Sequence, residues 1–148
     1  MLGGFEYTAV LACTCTLFAG AATYVSFVEH PARMECGTEV AITEFGPSYR
    51  RAAIMQATLA IVAAIAGVTA WLLGGGLSWL MGAALIFSVV PFTLVVIMPI
   101  NHQLMNPTVD RRSDPTHALL QTWGRLHGVR TVLSIMASLI FLAVALRS

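Results

Sequence analysis

The sequence predicts an all-α integral membrane protein, an antiparallel four-helix bundle. Three observations predict it. Of 148 residues, 57% are hydrophobic and only 10% charged, against about 25% charged in soluble domains. From Ala52 to Val109 no Asp, Glu, Lys or Arg occurs, a run too long for one crossing of a hydrocarbon layer about 30 Å thick. The uncharged stretches divide into four segments of spanning length, and four consecutive spans favour one bundle with a single domain over residues 1–148.

Span one covers about residues 7–29. Tyr7 to Val28 is uncharged and bracketed by Glu6 and Glu29, and Pro31 cannot continue a helix cleanly. No basic segment precedes it and the apolar run is too long for a cleaved leader, so it is expected to remain as a span. Thr23, Phe27 and His30 fall on one helical face. Residues 31–48 are more polar, and Gly46-Pro47 predicts a break, so a loop with a short amphipathic helix around Glu35–Phe45 is expected. Span two, about 50–73, opens at Tyr49-Arg50-Arg51 and carries Gln56 as its only amide. Its Ala60, Ala63, Ala64 and Gly67 let helices approach closely where lipid supplies no hydrophobic drive.

Gly74-Gly75-Gly76-Leu77-Ser78 is the strongest turn signal in the chain. Span three follows at about 79–100, with a kink expected at Pro91 and an end at Pro99-Ile100-Asn101-His102. A polar connection leads to Ser113-Asp114-Pro115, an N-cap followed by an early-helix proline. Span four, about 117–146, needs residues upstream of Thr131, because only 16 uncharged residues follow from there. His127 and Arg130 therefore fall at or just inside the membrane boundary. A charge there costs about 3 kcal/mol or more unless it is paired or reaches water; the bland alternative is an Arg130 that snorkels to head groups. No internal repeat is visible.

With an even number of spans both termini share a side. Seven of the eight Arg lie in or beside the loops 29–51 and 101–130, which places those loops in the cytoplasm and both termini on the non-cytoplasmic side. All four His are at the same end. A net charge of +1 without a basic stripe argues against nucleic acid as a partner. Cys13, Cys15 and Cys36 have neither disulfide nor zinc spacing.

Three constellations arise at that end. Glu29, His30, His102 and His127 offer a carboxylate and three imidazoles to a metal, but each comes from a separate segment without local ligand spacing; no metal or other cofactor is the main expectation. Trp123, His127 and Arg130 stand at i, i+4 and i+7 on one face. Arg130 one turn from His127 favours a neutral imidazole, a base, while Arg130 itself suits an oxyanion. The structural alternative is a His that ties helix four to Asn101 or the first loop. Finally, Trp123, Tyr49, Phe92 and Phe27 are aromatics near the bundle mouth, which anchoring at the interface also explains. With His127 and Arg130 beside them they suggest a pocket for a flat lipophilic molecule.

These residues carry a family resemblance. Glu29-His30-Pro31 with Arg33, Tyr49-Arg50-Arg51, Pro91-Phe92-Thr93, Pro99 with Asn101, and Trp123-x-x-x-His127-x-x-Arg130-Thr131 together resemble the anthrone oxygenase family (DUF1772) of four-span membrane proteins. Members with an assigned activity oxidise anthrones to anthraquinones with O2, with no evident flavin or metal. The resemblance implies a cofactor-independent oxygenase of a lipophilic aromatic substrate. His127 would take the proton, Arg130 and Asn101 would hold the enolate oxygen, and Trp123 would stack on the rings. His30, Arg33, Tyr49, Arg50, Gln56 and Phe92 complete the expected binding set. Membrane lipid and a lipophilic small molecule are the expected partners. Two other functional classes fit the same residues: a non-catalytic subunit, as a homo-oligomer or within a larger membrane complex, and a binding protein for a quinone-like lipid.

Overall fold

A computed structural model describes residues 4–147, with side chains described from residue 10 onward except Ala12. The described residues form helices α1 (Gly4–Tyr24), α2 (His30–Glu35), α3 (Thr38–Leu72), α4 (Leu77–Phe92), α5 (Met98–Leu104) and α6 (Asp114–Ala145). Short π-helical turns, Val25–Glu29 and Thr93–Ile97, join α1 to α2 and α4 to α5. The long helices make a four-cornered bundle: α1 packs on α3 and α6, and α4 packs on the same two from the opposite corner. Among the described residues, α3, the continuous rod Leu77–Leu104 and α6 are long and apolar enough to cross a membrane. The first span is supported by the uncharged run Tyr7–Val28. The chain is an integral membrane protein.

Both π turns have one cause. Each precedes a proline by the same interval: Val25–Glu29 then Pro31, Thr93–Ile97 then Pro99. A proline ring inside a helix clashes with the carbonyl four residues earlier and donates no hydrogen bond. Here the preceding turn widens instead, and His30 N–H bonds Val25 O while Met98 N–H bonds Thr93 O, each five residues back. Helices at opposite corners thus share one device at one end, an internal correspondence that the sequence alone did not disclose. The wider turn also shifts the helical phase and turns His30 inward beside Val25, so His30 is buried while Phe27, expected on one face with Thr23 and His30, is 72% exposed.

The expected break at Gly46-Pro47 does not occur, and α3 runs from Thr38 to Leu72 with Pro47 inside it. The reason is burial: Ala41, Ile42 and Phe45 belong to a core that also holds Trp123 and Leu120. Packing holds these turns helical against the proline, as tertiary context overrides local propensity. The predicted glycine turn is present. Gly74 has φ +99°, and Gly75 N–H bonds Ala70 O while Gly74 N–H bonds Trp71 O, the paired closure of a Schellman C-terminus. Ser113 caps α6, accepting from Thr116 N–H.

The half of the bundle near Gly74 is filled by Phe18, Ile86, Trp79 and Phe141 against a row of alanines. A Cβ on Gly82 would lie 2.5 Å from Phe141, so the ring occupies space that only glycine leaves free.

Candidate functional site

The other half has a polar interior. Trp123, His127, Arg130 and Thr131 are all buried on α6, as their helical spacing predicts. Trp123 is enclosed rather than presented. His127 stacks on it at 4.9 Å between centroids, Phe45 meets it edge-on at 5.2 Å, and the tilted His30 ring is also 5.2 Å away. The Arg33 guanidinium lies 5.9 Å from the ring centroid. The indole N–H donates to Asn101 Oδ1 at 2.9 Å. These contacts correct the expectation that Trp123 stacks on a ligand: its ring is already covered, and it serves as the centre that fixes its neighbours.

His30 comes this close because α6 has no side chain there. A Cβ on Gly124 would stand 2.5 Å from His30 Nε2. His30 lies past the first span, and burial, with Arg33 second, draws its imidazole below the ordinary histidine range.

Hydrogen bonds tie His127 to the turn after α1. Thr131 Oγ lies 3.1 Å from Ala22 O and 3.2 Å from His127 O, and Ser26 Oγ lies 2.8 Å from Thr131 Oγ and 2.9 Å from His127 Nδ1. Where Thr131 donates to a carbonyl, Ser26 donates to Thr131 and accepts from Nδ1–H, which leaves the Nε2 lone pair as the basic site; the reverse chain puts the proton on Nε2. His127 lines a small polar chamber.

Arg130 is 8% exposed and has no carboxylate partner among the described residues; its Nη2 donates to Gln56 Oε1 at 2.9 Å and its guanidinium stands 5.8 Å from the Phe18 ring centroid. Its Nε has no hydrogen-bond partner. The guanidinium is thus held inside the bundle, not snorkelled to the surface. Arg33 is different: it is paired with Glu29 one turn back and lies 3.0 Å from Glu44. Glu29 also accepts from Ser48 at 2.6 Å.

Two chambers meet at Arg130. The polar one, about 20 Å³, is lined by Glu29, Arg33, Tyr49, Gln56, His127 and Arg130 among others, including Trp123. It has room for about one water-sized molecule. The apolar one, about 140 Å³, is lined by Phe18, Ala53, Ala57, Val89, Leu94 and Met98 among others. Tyr49, Ala53, Gln56 and Arg130 line both.

A family profile described as anthrone oxygenase matches residues 45–140, about two thirds of the chain. The chain belongs to the anthrone oxygenase family. No curated protein and no solved structure matches it. The matched segment runs from Phe45 to Ile140 within α6, so in this anthrone oxygenase family member it contains Tyr49, Gln56, Trp123, His127 and Arg130, while Glu29, His30 and Arg33 precede it.

The expected site residues divide three ways. His127, Arg130, Gln56, Tyr49 and Arg33 line the chambers. Asn101 lines neither chamber: it is fully buried, its Oδ1 takes the Trp123 N–H, and its Nδ2 has no hydrogen-bond partner. Three others line neither chamber. His30 packs against Trp123 and borders an open cleft between α2 and α6, Phe92 is half-buried against the Trp123 core, and Arg50 is exposed. The suggested metal set does not assemble. His102 is exposed, and no group of three or more His, Cys, Asp or Glu among the described residues could hold a metal ion. Sequence reasoning missed Ser26, which carries no motif, although it stands one turn past buried Ala22 on the same face. It also missed Gly124, although a mid-helix glycine, costing about 1 kcal/mol relative to alanine, signals a packing reason.

Proposed function

We propose that this protein is a membrane-embedded, cofactor-independent oxygenase acting on a lipophilic, enolisable aromatic ketone of the anthrone kind. One observation carries the reading: a buried guanidinium with no carboxylate partner among the described residues shares a chamber with a buried histidine. A buried cation left unneutralised is costly, and an enolate oxygen would neutralise it during turnover.

His127 Nε2 takes a proton from the activated CH2, and the electron pair spreads to the carbonyl oxygen, which Arg130 holds. The carbanion gives its electrons to O2 and forms a C–O bond, producing a peroxide anion. That anion recovers the proton from His127. Loss of water from the hydroperoxide, with His127 again accepting the C–H proton and returning it to the departing hydroxide, leaves a carbonyl. The balance is CH2 + O2 → C=O + H2O: the substrate supplies all four electrons and His127 ends as it began. Ser26, through Nδ1, keeps the imidazole in the reactive tautomer. Positive-inside bias puts this site at the cytoplasmic end, with both termini across the membrane.

The test is O2 uptake by purified protein with a simple anthrone. One O2 consumed per quinone is expected, with a loss of about 10²–10⁴-fold in His127→Ala, the usual weight of general acid–base catalysis. Turnover that survives His127→Ala, or that a chelator abolishes, overturns the scheme. A second reading, a binding protein for a quinone-like lipid, is favoured by the same Arg130, which could donate to a quinone carbonyl without chemistry. Mass spectrometry of ligands retained on purification separates the two: a quinone with no turnover supports the second.

A further inference from the structure

The apolar chamber is not sealed within the bundle. It lies between α3 and the α4–α5 rod. Of its lining residues, Phe18 and Val89 are buried deep inside, whereas Ala57 and Leu94 are on the exposed outer surface, Leu94 at 58%. Both bounding helices are apolar enough to face lipid. Ala53, Ala57 and Ala60 stand at i, i+4 and i+7 on α3, so the wall on that side is a shallow trough of methyl groups. Opposite, the π turn forced by Pro99 brings Thr93 and Leu94 to the chamber. Polarity rises inward, from Leu94 and Ala57 at the rim to Gln56 and Arg130 at the inner end.

The geometry points to a lateral portal between Ala57 and Leu94 through which a flat apolar ring passes from the bilayer, edge-on, with Ala57 setting the size it admits. This inference rests on the site proposed above for its destination, but not on the chemistry there. The chamber's volume of about 140 Å³ matches that of cavities that hold one benzene ring. A flat fused system therefore passes through the chamber about one ring at a time on its way to Arg130. A substituent that lengthens Ala57 by more than a methyl or two fills the trough. Changes on the other exposed groove of the bundle, beside Leu17 and Leu59, leave it open.

The probe is a single-ring photolabel, 3-trifluoromethyl-3-phenyldiazirine, applied to the full-length protein in phosphatidylcholine vesicles, with adducts mapped by mass spectrometry. In the wild type, adducts are expected at buried Phe18, Gln56 and Val89 as well as at lipid-facing Ile54 and Val95. In Ala57→Trp and, independently, Leu94→Trp, the buried adducts fall at least tenfold while the lipid-facing ones persist, which also reports that the fold is intact. Leu17→Trp keeps the wild-type pattern. Absence of buried adducts in the wild type, or their persistence in both portal variants, overturns the proposal. Labelling that behaves as expected in a protein that oxidises no anthrone leaves the portal standing and removes the oxygenase reading instead.

Discussion

The two halves of the bundle are built on opposite terms. Near Gly74 the interior is apolar and closely filled, with Phe141 against Gly82 and Gly67 and Trp79 stacked on Phe141 at 5.8 Å. Near His127 it contains chambers, two buried Arg and several polar atoms without hydrogen-bond partners, among them Asn101 Nδ2 and Arg130 Nε. In lipid, where helices associate by packing rather than by hydrophobic burial, the first half supplies cohesion. The second half spends some of it, since unpartnered buried polar groups each cost about 1–3 kcal/mol. The difference directs the tests to the half that holds the chambers and the unpartnered polar atoms.

Substitutions should respond accordingly. Phe141→Ala empties the packed half and should cost about 3–5 kcal/mol, the range for large aromatic truncations, read as a fall in thermal unfolding temperature in detergent. A smaller effect should follow at the opposite end from Gly124→Ala. There the new methyl displaces His30 from beside Trp123, an overpacking cost of about 1–3 kcal/mol, and near-ultraviolet circular dichroism of Trp123 should change with it. Equal stability of wild type and Gly124→Ala would show that His30 does not need that space. Smallest in stability is Ser26→Ala, which removes the hydroxyl that is hydrogen-bonded to His127 Nδ1. One hydrogen bond of about 1–1.5 kcal/mol translates into about a tenfold loss of kcat, with KM unchanged and partial rescue by Ser26→Thr. A KM effect instead would make Ser26 a binding residue.

Much of this contrast was legible in the sequence. The alanine and glycine face of α3, the glycine turn and the Ser113 cap follow from local rules, and the i, i+4, i+7 spacing of Trp123, His127 and Arg130 correctly placed three side chains on one buried face. What sequence could not convey is the phase change at the π turns. Pro31 and Pro99 were read as helix ends, whereas each widens the turn before it, and the turn before Pro31 parts buried His30 from exposed Phe27. Nor could it show that Pro47 is overruled by the burial of Phe45 and Ala41, because that burial depends on Trp123, 78 residues away in the chain. Asn101 illustrates the limit most clearly, since its position at the end of span three gave no sign that its Oδ1 takes the Trp123 indole N–H.

The claim that the polar half is kept for chemistry rather than stability is tested most directly at Arg130. Arg130→Met retains much of the side-chain volume and removes a buried, unneutralised charge. Oxygen uptake with a simple anthrone and thermal unfolding, measured on the same Arg130→Met preparation, should diverge: turnover falls by about 10²–10³-fold, as on removing an oxyanion donor, while the unfolding temperature stays equal or rises. A variant that loses stability yet keeps its turnover would make Arg130 a structural residue and contradict the account.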